Sequence, residues 1–116
     1  MMRVPLALAR RFLLDLFQGD FYRTGDVPET AEGYEEAVAH VVHWATYIGR
    51  VRELQATYAM AANDPSFDLT PFREYEDVSL TDGFARDIVR FASKTVGAPP
   101  DEDITLVDDG SRLEDW

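Results

Sequence analysis

Glu36, His40 and His43 stand at i, i+4 and i+7 in this sequence. On a helix that spacing gathers them within roughly 60° of arc, at ~100° per residue. Imidazole and carboxylate are ordinary ligands for zinc or iron, so this trio, with Tyr47 on the same arc, is where a metal centre would be sought. Carboxylate-bridged metal bundles repeat Glu-x-x-His on two helices, and this sequence has no Glu-x-x-His and only 2 histidines. A polar stripe facing solvent, or a polar face for a partner protein, accounts for the same residues more simply. Glu36, His40 and His43 therefore remain weak metal candidates, and no cofactor is expected.

Other chemistries find less. Cysteine is absent, which removes thiolate nucleophiles, thiolate metal sites and disulfides together. None of Ser66, Ser79, Ser93 and Ser111 lies in Gly-x-Ser-x-Gly, and no glycine-rich phosphate cradle occurs. With 22 acidic residues, paired carboxylates arise by chance. No catalytic residue is assigned, and a non-enzyme is expected. Arg86, Arg90 and Lys94 form a basic ridge at i, i+4 and i+8, read as a solvated face or as partners for the chain's own acids.

The charge narrows the partners. The net is −11, and residues 63–116 carry 14 acidic against 5 basic side chains. Nucleic-acid binding draws on cations that displace phosphate counterions, and anionic membranes need the same, so direct binding to either is not expected. The bias of aspartate over glutamate and the lone lysine, Lys94, fit a GC-rich genome or a salt-adapted host, and in the latter acidity serves solubility. Arg10 and Arg11 interrupt the apolar amino terminus too early for a signal peptide, and no run reaches the ~18 apolar residues of a membrane span. A cytoplasmic location is the expectation.

These residues need elements to position them. The length of 116 residues suits one domain, and a hydrophobic fraction of 46% supplies a core. The pattern predicts an all-α fold: a small bundle of about four helices, with a long central helix and an acidic extended carboxy-terminal tail. Residues 1–97 form the helical domain, and 98–116 the acidic linker and tail.

The first helix is expected from Pro5 to Gln18, ended by Gly19. It is apolar around most of its circumference, leaving Arg11, Asp15 and Gln18 as a thin polar strip. Such a helix is central to the fold or covered by another subunit, so a homo-oligomer is one way to cover it. Asp26-Val27-Pro28-Glu29 resembles a capping box and opens a helix to about Ala62, roughly 50 Å long. That exceeds a compact domain of this size, so the helix must kink, break or project, with Gly33 and Gly49 as the weak points. Its apolar stripe is Ala37, Val41, Trp44, Ile48, Val51 and Tyr58. A third helix is expected from Thr70-Pro71 to Asp77, and a fourth from Ser79 to Val96, closed by Gly97. Ile104–Val107 has strand character but no evident mate.

Two surfaces follow. Leu113 and Trp116 are apolar anchors in an acidic segment, a common way for a short peptide to find a groove. His40, His43, Tyr47 and Arg50 form the polar face of the long helix. The expected function is a non-catalytic protein–protein interaction module, such as an adaptor, an inhibitor or a small subunit, acting through apolar helix faces and the acidic tail. One alternative is an acidic mimic of nucleic acid that occupies a phosphate-binding groove on a DNA- or RNA-binding protein. The other is a metal-binding helical protein using Glu36, His40 and His43.

Overall fold

The computed structural model describes residues 2–98 and 103–116. It is mostly helical, with two small sheets that the helical pattern did not disclose. In chain order it runs β1 (Met2–Pro5), α1 (Leu6–Thr24), a 3-10 turn (Ala31–Tyr34), α2 (Glu35–Ile48) and α3 (Val51–Asn63). The single turn α4 (Thr70–Arg73) and a hairpin of β2 (Glu74–Tyr75) with β3 (Val78–Ser79) follow. The chain ends with α5 (Asp82–Val96), β4 (Ile104–Val107) and a second 3-10 turn (Leu113–Asp115).

Helix α1 departs from expectation at both ends. Pro5 closes β1 instead of opening the helix. Gly19 does not stop it: the helix runs on to Thr24 and ends at Gly25, whose left-handed φ of 78° suits glycine. The extra turn and a half brings the Phe21 ring edge-on to Tyr75 at 5.2 Å and Arg23 to Glu36. Those contacts offset the ~1 kcal/mol that a helix-interior glycine costs.

The long helix breaks. Gly49, at φ 72°, ends α2, and Arg50 separates it from α3. Before α2 the backbone is a 3-10 turn capped by Thr30, whose hydroxyl accepts the Gly33 N–H at 3.3 Å, and the Asp26 cap is not used. A Cβ at Gly33 would lie 2.6 Å from the Pro28 side chain, so only glycine fits this approach. The third helix stops after four residues, because the chain turns at Glu76 (φ 48°) into the hairpin. Ser79 thereby becomes strand, and Thr81 caps α5 by accepting the Phe84 N–H at 3.1 Å.

The core lies where α1, α2, α3 and α5 meet. Leu8, Phe12, Leu13, Leu16 and Phe17 of α1 are fully covered, together with Val38, Leu54, Tyr58 and Ile88. The apolar circumference of α1 is thus buried by its own chain, and the need for another subunit to cover it disappears. Among the described residues, the large apolar side chains left exposed are Tyr22 and Tyr47. The radius of gyration, 13.2 Å, matches the ~13 Å of a compact chain of this length.

The carboxy-terminal segment is not a free tail. From Asp103 onward it returns to the helical body: β4 pairs in parallel with β1, in register Met2↔Ile104 through Pro5↔Val107. Ile104 and Leu106 cover a second small core of Met2, Val4, Ala9 and Ala56. This pairing joins segments some hundred residues apart and leaves no local periodicity to read. Residues 99–102, part of the expected linker, lie outside the described residues. No helix among the described residues is long and apolar enough to cross a membrane.

Candidate interaction groove

Arg11, Asp15, Gly19 and Arg23 follow one another at every fourth residue of α1, so they share one face. Glu36, Ala37, Ala39 and His40 of α2 face them across a groove of about 540 Å³. Gly19 lies on this face, and a Cβ placed there would meet nothing within 4 Å.

The charged lining is paired within itself. Arg11 Nε donates to Asp15 Oδ2 at 3.1 Å, and Arg23 Nη2 donates to Glu36 Oε2 at 2.8 Å. The second pair is exposed, and exposed pairs contribute only ~0–1 kcal/mol, so an incoming charged group could exchange with either member. The Arg11 guanidinium also lies 5.4 Å from the centroid of the Trp44 ring, which in turn meets Phe12 edge-on at 5.6 Å. The groove is therefore tied to the core through a stacked arginine and two aromatic rings.

Beyond the groove the same side of α2 carries His43 and Tyr47, both exposed, with Tyr47 at 86%. From Glu36 to Tyr47 is about 16 Å along the helix at 1.5 Å per residue. Arg50, at the far end of α2, points elsewhere than expected. Its guanidinium sits 5.4 Å from the Trp116 ring and reaches Glu53 at 3.5 Å. Trp116 is half-buried against the main core, Leu113 is half-buried beside it, and the indole N–H faces Ser111 Oγ at 3.5 Å. The two surfaces expected from sequence thus meet at Arg50.

Glu36, His40 and His43 do not converge. Among the described residues no group of three or more histidine, aspartate or glutamate side chains is placed to hold a metal ion, and the Glu36 carboxylate is engaged by Arg23. The basic ridge is not a ridge either, because Arg86 turns back to hydrogen-bond the carbonyls of Ala61, Asp64, Pro65 and Phe67. Asp64, Asp68 and Asp109 are held below the ordinary aspartate range by turn hydrogen bonds. The donors are chiefly the Ser66 hydroxyl, the Thr70 backbone N–H and the Ser111 hydroxyl, respectively. These are Asx turns that shape loops, away from the groove.

Sequence reasoning found Glu36 and His40 but missed Gly19 and Arg23, having ended the helix too early. The strict four-residue spacing from Arg11 to Arg23, and Phe21 four residues after Phe17, were the available signals. No protein-family model matches the chain, and no curated protein or solved structure is found to be similar to it.

Proposed function

We propose that the protein is a non-catalytic interaction module, and that a partner polypeptide docks along the α1/α2 groove and the adjoining face of His40, His43 and Tyr47. Gly19 carries this reading. Glycine inside a helix costs ~1 kcal/mol relative to alanine, and no neighbour in this chain requires it. It is exposed in the groove lining, with free space around it, so the α1 backbone is open to an incoming polypeptide there. Tyr47 supports the reading, because tyrosine is over-represented among residues that dominate interface energies. The lining offers charged groups and one imidazole but no hydroxyl or thiol nucleophile, an arrangement suited to recognition. The apolar helix faces are spent on the chain's own core.

Two substitutions at one position test this. Gly19→Ala leaves the groove open and is expected to raise stability by ~0.5–1 kcal/mol, read by urea denaturation. Gly19→Trp places a large side chain in the groove lining, starting from a Cβ position that meets nothing within 4 Å. In affinity capture from the native host, a partner retained by the wild type and Gly19→Ala should be lost from Gly19→Trp, with the helical circular dichroism of all three alike. If Gly19→Trp retains every partner, the groove is not the docking surface. Truncation at residue 98 is a poor substitute, because it strips β4 from β1 and uncovers Met2 and Val4.

A further inference from the structure

Strand β4 presents an unused hydrogen-bonding edge. The Met2 N–H donates to the Asp103 carbonyl at 2.7 Å. In the parallel register Met2↔Ile104 and Val4↔Leu106, this alternation turns the N–H and C=O of Thr105 toward β1 and those of Ile104 and Leu106 away from it. Among the described residues, nothing pairs with those four outward main-chain groups. On the opposite edge the outward residues of β1 are Arg3 and Pro5, and Pro5 has no N–H to offer. Strand β4 therefore presents the fuller set of donors and acceptors for strand addition.

Beside β4 lies a mainly apolar groove of about 220 Å³, lined by Leu106, by Leu6 and Leu13 of α1, and by Phe67 and Phe72, with Arg10 and Asp68 as an opposite-charge pair of lining residues that leaves its charge balanced. An edge of unpaired main-chain groups next to an apolar slot asks for an extended peptide with an apolar side chain directed into the slot. The flanks specify more. Asp103, Asp108 and Asp109 are exposed at the two ends of the strand. A second copy of β4 laid antiparallel against this edge would bring like charges together at both ends, which is destabilising.

We infer that β4 accepts a third strand from a partner protein: a short extended apolar segment flanked by lysine or arginine. The main-chain groups of Ile104 and Leu106 supply the pairing, the slot at Leu106 takes one apolar side chain, and the flanking aspartates select basic neighbours. This inference stands independently of the α1/α2 groove.

The test is amide hydrogen exchange on the full-length protein, followed by NMR with the capped peptide Lys-Val-Ile-Val-Lys as the probe. At ~1 mM peptide the Ile104 and Leu106 amides should exchange at least about fivefold more slowly, because they pass from solvent into a ladder. A Glu-Val-Ile-Val-Glu peptide should protect them markedly less, and the advantage of the lysine peptide should shrink in ~0.5 M salt, where charges are screened within about 5 Å. A peptide N-methylated at every residue should give no protection. Unchanged exchange at these two amides overturns the proposal, as does equal protection by the N-methylated peptide. Protection that instead grows with protein concentration in the absence of peptide would assign the edge to a second copy and overturn the charge argument.

Discussion

Arg86→Ala is expected to destabilise the protein by ~3 kcal/mol, although the residue sits on a surface helix and reads as one step of a charged ridge. The guanidinium donates to four carbonyls: Ala61 at 3.0 Å, Asp64 at 3.1 Å, Pro65 at 3.3 Å, and Phe67. Ala61 belongs to the last turn of α3, whose terminal carbonyls have no intrahelical partner, and the other three belong to the loop that leaves it. One side chain thus caps a helix and folds the following loop, while Asp82 holds its far side at 3.6 Å. Hydrogen bonds to a charged donor contribute ~1.5–3 kcal/mol each, and unmet carbonyls cost more when buried. The side chain is 12% exposed, and the Ala61 and Phe67 bonds are part-buried, so water replaces those two poorly, whereas the Asp64 and Pro65 carbonyls are exposed and can turn to solvent. Arg86→Lys should recover only a minor part, because an ammonium lacks the planar fork that spans several acceptors. Arg90→Ala, which removes an exposed pair with Asp87, should stay within about 0.5 kcal/mol. Urea denaturation of the three variants decides it. Equal losses for Arg86→Ala and Arg90→Ala would show that the carbonyl clamp is not formed.

Arg86 also shows where local reading runs out. Its spacing to Arg90 and Lys94 is that of a helix face, and α5 is indeed a helix whose buried side includes Ala85, Ile88, Val89 and Ala92. What the pattern cannot reveal is that a loop 20 residues earlier brings its carbonyls to one of those arginines. The same holds for β1 and β4. Each is four residues long, too short for a periodic signal, and each is stabilised by the other across nearly the whole chain. Glycines were legible where backbone conformation decided, as at Gly49, and misread at Gly19, where tertiary contacts of Phe21 and Arg23 override propensity. The polar arc of α2 was visible from spacing alone. The groove was not, because its other wall is a row on α1 whose final turn lies beyond Gly19, a residue with the local signature of a helix end.

Tyr58 yields the second large effect, and a pH dependence that separates its hydroxyl from its ring. The side chain is fully buried, and its hydroxyl donates to the Phe12 carbonyl at 2.9 Å, tying α3 to the turn of α1 that carries Arg11 and Asp15. Tyr58→Ala should cost ~4 kcal/mol, as large-to-small changes in a packed core do, whereas Tyr58→Phe should cost ~1 kcal/mol for the hydrogen bond. Burial first, and then the nearby Asp15 charge, hold this phenol well above its ordinary value. The folded state therefore keeps the proton while the unfolded chain releases it near pH 10. The stabilisation is complete below pH 10 and is lost as pH rises above it, by up to about 1.4 kcal/mol per pH unit for this one group. Tyr75, raised by burial and by Tyr22, adds in the same direction. Tyr58→Phe has no proton to lose, so its deficit should narrow from pH 9 upward and vanish near pH ~11 on the same linkage. Urea denaturation of both proteins from pH 8 to 11.5 measures this directly. A gap that stays constant over that range would mean that the hydroxyl reaches water in the folded state, and that α1 is not anchored to α3 at the turn from which the groove is built.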